Sequence, residues 1–148
     1  MRRARSDDVL ALVGFFQAHA EYEGARIDTA GLAERLEKAI ETGEWPWIVV
    51  AEEGGIPVGY ASFNREFNTW RMAPYLHMDC LYLQPDARGR GVGQELVSAG
   101  VLLARQLGLE HMEWHTPVSN EGAIRFYQRL GAEALEKVRF KWRIQERS

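Results

Sequence analysis

The sequence contains little of what marks a secreted, membrane-bound or nucleic-acid-binding protein. Cys80 is the single cysteine, so no disulfide can form within the chain, and a reducing cytoplasmic setting is favoured. No apolar run is long enough to cross a bilayer, and Asp7 and Asp8 stand where a secretory signal would be apolar. The 18 Lys and Arg residues are balanced by 21 Asp and Glu, which argues against a nucleic-acid partner. We therefore predict a soluble cytoplasmic protein with no membrane partner.

Internal repeats, low-complexity tracts and Pro-rich or Ser-rich linkers are also absent from the sequence. A chain of 148 residues is long enough to bury one sizeable core, and it fits one domain of ordinary size. We expect a single domain over residues 1–148.

The apolar pattern changes period along the chain, which predicts both helices and strands. Helical spacing and capping residues predict four helices, at residues 6–20, from Asp28 or Thr29 to Gly43, at 91–107, and from Ser119 or Asn120 to Gly131. Continuous or alternating apolar runs predict strands at 47–52, 56–63, 74–83, 110–116 and 138–144. The expected fold class is α/β (α+β), with a mixed sheet and helices on both faces, because one strand, helix, strand unit implies a parallel pair.

A glycine-rich turn lies between a predicted strand and the third predicted helix. Gly89, Gly91 and Gly93 stand at alternate positions, so consecutive N–H groups can converge on one point. The helix that follows adds the positive end of its dipole. Arg88 and Arg90 supply two cationic donors, so we predict a bound group with more than one negative charge, such as a pyrophosphate. The simpler alternative is a turn that only caps a helix.

Two other kinds of site are not predicted. The glycine turn lacks the Lys followed by Ser or Thr that closes the phosphate loop of nucleotide hydrolases, so that class is disfavoured. His111 and His115 have a spacing that would suit a metal on a helix, but they fall on a predicted strand. We therefore expect no metal.

Two motifs resemble those of the GCN5-related N-acetyltransferase (GNAT) superfamily. One is Arg or Gln, two residues, Gly, one residue, Gly or Ala, and it is met by Arg88, Gly91 and Gly93. The other is a helical series closed by Gly-Ala, and it is met by Asn120, Ala123, Phe126, Tyr127, Leu130, Gly131 and Ala132. The resemblance spans nearly the full chain. It implies a GNAT fold, a mixed and mostly antiparallel central sheet of about six to seven strands with helices on both faces.

The resemblance also implies acetyl-CoA as cosubstrate, with no metal. The pantetheine arm would lie beside strand 74–83 as an added strand, bound by main-chain groups of Leu81 and Leu83. The diphosphate would be bound by the turn residues Arg88, Gly89, Arg90, Gly91, Val92 and Gly93. Asn120 and Ala123 would contact the cosubstrate from the fourth helix, although Asn120 could simply cap that helix.

Acetyl transfer to an amine needs a base for the amine proton and an acid for the departing thiolate. A primary amine has a pKa of about 10.4, so a base must take its proton at neutral pH. Asp79 is the first candidate, because its strand runs into the glycine turn, and His77, Glu113 and His115 are the alternatives. The resemblance makes Tyr127 the acid. Asp79 could instead be a paired, half-buried carboxylate, and Tyr127 could be a core aromatic residue.

Within the superfamily the chain resembles the diamine, polyamine and thialysine acetyltransferases. Tyr22 and Glu23 resemble a Tyr-Glu pair of that group, and Asp79 lies where those enzymes usually have Glu. Ala123 stands where they often have Ser. The resemblance implies a small cationic amine as substrate, bound by Tyr22, Glu23 and Asp79.

Aromatic residues are frequent in the N-terminal half, and aromatic faces attract ammonium groups. We expect one wall around Tyr22 and Glu23 that also contains Trp45, Trp47, Phe67 and Trp70. An acetyltransferase of an aminoglycoside, an amino acid or a protein amine fits the motifs equally. An acyl-CoA-binding module without turnover is the alternative from another class. The resemblance and the apolar face of the last predicted strand favour a homodimer.

Overall fold

The computed structural model describes residues 1–145, which divide into two compact units. The first unit, Met1–His115, contains one sheet and three helices. The second begins at Thr116 and contains the fourth helix.

Helix α1 spans Val9–Tyr22 and follows a short 3-10 turn at Ser6–Asp8. No side chain caps this helix start, not even Ser6, where the sequence predicted the helix to begin. The Asp8 carboxylate instead accepts the N–H of Arg5, just before the 3-10 turn, at 2.7 Å. The same carboxylate accepts two N–H groups of the Arg2 guanidinium, each at 2.8 Å. The buried Asp8 side chain therefore joins the N-terminus of the chain to the start of α1.

Helix α2 spans Leu32–Thr42 and begins later than the sequence predicted. Neither expected cap, Asp28 or Thr29, caps the helix, and Asp28 instead accepts the N–H of Ala30 at 2.9 Å in a turn before it. Gly31 precedes the first helical residue with φ of +68°, a conformation that glycine adopts readily.

Five strands form one sheet in chain order, namely β1 (Arg2–Arg3), β2 (Trp47–Glu53), β3 (Ile56–Asn68), β4 (Ala73–Leu83) and β5 (Met112–Trp114). The first three pairings are antiparallel, whereas β4 and β5 are parallel. Helix α3, Val92–Gln106, connects the parallel pair. Strands β2 and β3 form a hairpin, and the predicted parallel pair is confirmed.

Helices cover both faces of this sheet, as predicted. Helices α1 and α2 pack around Tyr60 and Tyr82 on one face. Helix α3 packs on the other face, where a Cβ at Gly100 would lie 2.5 Å from the Phe63 ring. Both sheet faces are therefore buried, which accounts for the nearly continuous apolar sequence of β2.

The strand predicted at 138–144 is not formed. In the described part of the chain beyond Ala132 no regular secondary structure occurs. Four side chains of the predicted strand are 77–91% exposed, those of Val138, Phe140, Trp142 and Ile144. Alternation of apolar and charged residues predicts the two faces of a strand, but it supplies no neighbour to accept its main-chain hydrogen bonds. The described residues therefore form five strands where about six to seven were expected.

Candidate active site

Asp79 lies at a β-bulge in β4. Ser62 of β3 pairs with Cys80 and the next β3 residue, Phe63, pairs with Met78, so Asp79 is one extra residue between the two pairs. A bulge bends its strand and redirects a side chain. The Asp79 side chain is 59% exposed, whereas Met78 beside it is buried. The bulge therefore points the Asp79 carboxylate out of the sheet. The sequence predicted this carboxylate to be catalytic.

Two polar side chains lie next to the Asp79 carboxylate. Nε2 of His77 is 3.8 Å from Oδ1, and the Cys80 thiol donates to Oδ2 at 3.7 Å. The His77 ring centre is in turn 5.3 Å from that of His115. The first predicted base and two of its alternatives thus form one group. The third alternative, Glu113, has an Arg71 guanidinium nitrogen 3.6 Å from its carboxylate.

The C-terminal part of β4 has one edge that no strand of the described residues covers. Strand β5 pairs with β4 only over Leu76–Met78, although β4 continues to Leu83. The N–H of Gln84 donates to Val58 on the β3 side. Because main-chain groups alternate in direction along a strand, those of Leu81 and Leu83 point the other way, towards the uncovered edge. An extended molecule can add to such an edge as a further strand.

The glycine turn leads from this edge to α3. Gly89 and Gly91 have φ of +77° and +83°, values that favour glycine. A Cβ at either position would meet no atom within 4 Å, so the space beside the turn is open. Helix α3 begins at Val92 with no side chain that caps it. The N–H groups of its first turn are therefore available to an anion.

Arg88 holds the turn against β4 and α1. Its Nε donates to the Leu83 carbonyl at 3.0 Å. Its guanidinium carbon lies 5.1 Å from the centre of the Tyr22 ring and 5.7 Å from that of Tyr82. These distances are typical of cation–π contacts. Arg88 is therefore shared between the predicted phosphate site and the predicted substrate residue Tyr22.

Arg90 holds the turn against the β2–β3 hairpin. Its Nη2 lies 2.9 Å from a carboxylate oxygen of Glu53 and also donates to the Asp86 carbonyl at 2.9 Å. Both partners in this ion pair are more than a third exposed, so solvent weakens their attraction. Arg90 therefore lies beside the turn as one partner of an exposed ion pair.

A polar chain that the sequence analysis missed runs from Asp79 to Glu23. Cys80, which donates to Asp79, is also in hydrogen-bond contact with the Tyr60 hydroxyl. That hydroxyl lies 3.3 Å from Nδ1 of His19, and Nε2 of His19 lies 3.6 Å from Oε1 of Glu23. This polar chain of side chains crosses β4, β3 and α1. No spacing in the sequence links these residues, since their proximity depends on the packing of α1 on the sheet.

The two inner groups of this polar chain keep their protons at neutral pH. Burial raises the pKa of the Tyr60 phenol well above its ordinary value of 10.0. Burial, and next the charge of Asp79, raise the pKa of the Cys80 thiol to about 11. The thiol is therefore not a ready nucleophile. Both groups act as neutral hydrogen-bond donors and acceptors.

A model of the Acetyltransferase (GNAT) family matches residues 12–132. The chain belongs to this family. It is an N-acetyltransferase of GNAT type, as the resemblance in the sequence implied.

Relatives and solved structures agree with this assignment. The thialysine N-epsilon-acetyltransferase of Caenorhabditis elegans is 30% identical over 131 residues, which are 88% of this chain and 81% of the relative. The enzyme of the same name from Bos taurus is 28% identical over 93% of this chain and 86% of its own. An aminoglycoside acetyltransferase from an uncultured soil metagenomic sample, solved with trehalose, superimposes with a TM-score of 0.77 at 18% identity, covering 98% of this chain and 95% of that one. The last comparison bears on the fold alone.

In this GNAT protein the expected single aromatic wall is not formed. Tyr22 lies beside Arg88, at the Leu83 end of β4. Phe67 pairs with Pro74 at the other end of β4, about 30 Å along the strand. Trp70 lies in the turn just beyond Phe67 and is 95% exposed. The aromatic residues of the N-terminal half are separated because β3 is long. Phe67 and Trp70 therefore do not lie beside Tyr22 and Glu23.

The second GNAT motif lies in the second unit and forms helix α4, Glu121–Arg129. The Asn120 side chain caps this helix by accepting the N–H of Ala123 at 3.2 Å. The Phe126 and Tyr127 ring centres are 5.2 Å apart, and both residues are half-buried. The alternative role given to Asn120, that of a helix cap, is thus present in the structure.

Residues 1–145 show neither a metal-binding cluster nor a membrane-spanning helix. They contain no group of three or more His, Cys, Asp or Glu side chains arranged to hold a metal ion. None of their helices has the length and apolar character of a membrane span.

Proposed function

We propose that this N-acetyltransferase transfers an acetyl group from acetyl-CoA to the primary amine of a small cationic substrate: a polyamine, a diamine or a lysine-like molecule. The observation that carries the proposal is the continuity between the uncovered edge of β4, the glycine turn and the uncapped start of α3. An extended arm that ends in a diphosphate matches this sequence of features. The GNAT family generally uses acetyl-CoA.

In this proposal the pantetheine arm pairs with the main chain of Leu81 and Leu83. The loop amides from Gly89 to Gly93, Val92 included, bind the diphosphate together with Arg88 and Arg90. A β4 N–H group also stabilises the oxyanion that develops on the thioester carbonyl, a contribution of about 100-fold to 1,000-fold in rate where it has been measured by mutation. The likeness to the GNAT motif also assigns Asn120 and Ala123 to cosubstrate binding. The family match crosses both compact units, which supports one catalytic domain over residues 1–148.

The proposed substrate follows from the charges around Asp79. Asp79 and Glu23 are the two carboxylates at the ends of the polar chain, and both are at least a third exposed. Carboxylates and aromatic faces attract ammonium groups, and Tyr22 adds such a face. Two relatives act on thialysine by name, which supports a lysine-like amine.

The proposed reaction is a direct transfer. Asp79 accepts a proton from the ammonium group, and the neutral nitrogen forms a bond to the thioester carbon. The carbon–sulfur bond then breaks and Tyr127 gives its proton to the sulfur. The nitrogen, which still carries one proton too many for an amide, gives that proton to the Tyr127 phenolate through solvent. The products are the amide and CoA with a free thiol.

Titration calorimetry with acetyl-CoA tests the cosubstrate. We expect one binding event with purified protein, and its absence would overturn the proposal. The release of free thiol then tests the substrate with a panel of spermidine, 1,3-diaminopropane, thialysine, lysine, an aminoglycoside, a neutral amino acid and a peptide amine.

The panel separates the alternatives. Release with the diamine, polyamine or lysine-like members supports the proposal. Release only with the aminoglycoside, the amino acid or the peptide replaces the substrate class. Binding of acetyl-CoA without release from any amine points to an acyl-CoA-binding module. A homodimer and a cytoplasmic location stay predictions, and light scattering on the purified protein tests the first.

A further inference from the structure

His19 lies between Tyr60 and Glu23 in the polar chain that joins Asp79 to Glu23. Its side chain is 17% exposed, with Nδ1 beside the Tyr60 hydroxyl and Nε2 beside the Glu23 carboxylate. The imidazole also stacks on the Tyr82 ring at 5.6 Å between centres and 28° between planes. Both nitrogens and the ring face therefore have defined neighbours, and the orientation of the ring is set.

Asp79 needs a route by which to lose the proton that it takes from the amine. In the free protein its side chain is open to solvent, but a bound amine and thioester would cover the exposed side. Besides His77, whose Nε2 is 3.8 Å from the carboxylate, a route leads from Asp79 through Cys80 and Tyr60. Tyr60 is 1% exposed and Cys80 is half-buried, so an ion on either would be costly. Each can pass a proton on only while it receives another.

We propose, on the basis of the acetyl transfer above, that His19 is a positioning residue that receives this proton through Cys80 and Tyr60. The O–H bond of protonated Asp79 breaks as the Cys80 sulfur accepts the proton. The former Cys80 proton passes to the Tyr60 oxygen, and the former Tyr60 proton forms a bond to Nδ1 of His19. Cys80 and Tyr60 end neutral, and Asp79 is again a carboxylate.

His19 suits the end of such a relay for two reasons. Imidazole is the side chain that most readily gains and loses a proton near neutral pH. The imidazolium formed here lies 3.6 Å from the Glu23 carboxylate, which is a third exposed, so water reaches this pair and can take the proton. The relay therefore ends in an ion pair near the surface rather than inside the sheet.

The first test is chemical rescue of His19→Ala. We expect kcat with the best amine to fall about 10-fold to 100-fold, up to the lower limit of the range for direct acid–base groups, with acetyl-CoA affinity unchanged. Imidazole added to the buffer should restore a large part of kcat, which a purely structural role of His19 would not predict. The matched control is His111→Ala, which removes an exposed histidine and should change neither kcat nor the response to imidazole.

The second test compares two substitutions of similar size at Cys80. Cys80→Ser keeps a group that can both accept and donate a proton, so kcat should stay within about threefold, whereas Cys80→Ala should lower kcat as His19→Ala does. Tyr60→Phe removes only a hydroxyl and should also lower kcat. Combined with His19→Ala it should add little, because both changes break the same chain. Thermal unfolding of each variant shows whether it folds.

The outcomes separate this inference from the function on which it rests. Wild-type protein that releases no thiol with any amine overturns the acetyl transfer and the relay together. Active wild-type protein with an unchanged His19→Ala variant, or with no effect of imidazole on that variant, overturns the relay alone. If His19→Ala does not fold, equal kcat values for Cys80→Ser and Cys80→Ala overturn it.

Discussion

Arg88 of the glycine turn places its guanidinium carbon 5.1 Å from the centre of the Tyr22 ring at the end of α1. Arg88 belongs to the proposed cosubstrate site and Tyr22 to the proposed substrate site. If the Arg88 guanidinium turned towards a bound diphosphate, the face of the Tyr22 ring would become accessible to the amine. The structure therefore gives a physical link between the two proposed sites.

Substitution of Arg88 should weaken binding of acetyl-CoA. A hydrogen bond to a charged group contributes about 1.5–3 kcal/mol, so Arg88→Ala should raise the Kd about 10-fold to 100-fold in calorimetry. Arg88→Lys keeps the charge but loses the guanidinium contact with the Tyr22 ring. It should therefore bind acetyl-CoA more tightly than Arg88→Ala does, while its KM for the amine stays above the wild-type value. Arg105→Ala at the far end of α3 is the control. Wild-type affinity in Arg88→Ala would remove this residue from the site.

Tyr127→Phe tests the proposed acid. Loss of the phenolic proton should lower kcat about 100-fold or more, because general acids contribute about that much, while acetyl-CoA affinity stays the same. Thiol release and calorimetry on one preparation measure the two quantities. Tyr75→Phe, which removes a hydroxyl from β4, should retain wild-type kcat. Normal turnover in Tyr127→Phe would contradict the assigned role.

Asp79→Asn tests the proposed base with almost no change in shape. We expect kcat to fall about 100-fold or more and acetyl-CoA binding to persist, since the amide cannot accept a proton. Asp79→Glu should keep more activity than the amide, because it retains a carboxylate. Asp28→Asn removes an exposed carboxylate from the segment before α2 and serves as the comparison. If Asp79→Asn and Asp28→Asn turn over equally, another group is the base.

Asp8→Asn should destabilise the fold in a pH-dependent manner. Hydrogen bonds from Arg2 hold the pKa of the buried Asp8 carboxyl below its usual 3.8. A folded-state pKa below the unfolded one adds stability above the unfolded pKa, and this stability is lost as pH falls through the folded pKa. We expect Asp8→Asn to lose about 1.5–3 kcal/mol at pH 7 in urea unfolding, and the gap to wild type to narrow below about pH 4. Asp7→Asn, its exposed neighbour, should show no such gap.

Gly100→Ala should destabilise the protein and Gly14→Ala should not. A Cβ at Gly100 would lie 2.5 Å from the Phe63 ring and 3.0 Å from the Met112 sulfur, and overpacking of this kind costs about 1–3 kcal/mol. Gly14 lies inside α1 with no atom within 4 Å of a Cβ, so alanine there should add about 0.5–1 kcal/mol through helix propensity. Thermal unfolding with calorimetry compares the two. Equal shifts would show that α3 can move away from the sheet.

Local sequence patterns predicted the elements that bury a regular apolar face. The helix expected at 91–107 is Val92–Gln106, and the strand expected at 74–83 is Ala73–Leu83. The glycine turn was equally readable, since positive φ at Gly89 and Gly91 requires a particular residue type. These features depend on neighbours in sequence.

What the sequence did not predict depends on neighbours in space. The polar chain through His19, Tyr60 and Cys80 joins three elements that are far apart in sequence. The strand expected at 138–144 needed a hydrogen-bonding partner that the described residues do not provide. The length of β3 separates Phe67 from Tyr22, and alternation of side chains does not reveal where a strand ends.

The extra residue in β4 leaves a mark in the apolar spacing. Leu76 and Met78 are two positions apart and lie on one face of β4. The next apolar pair on that face, Leu81 and Leu83, comes one position later than regular alternation would place it. This slip of phase leaves position 79 outside both apolar layers. Aspartate and glutamate can therefore replace each other at position 79 without repacking of the interior. The chemistry of this position can change independently of folding.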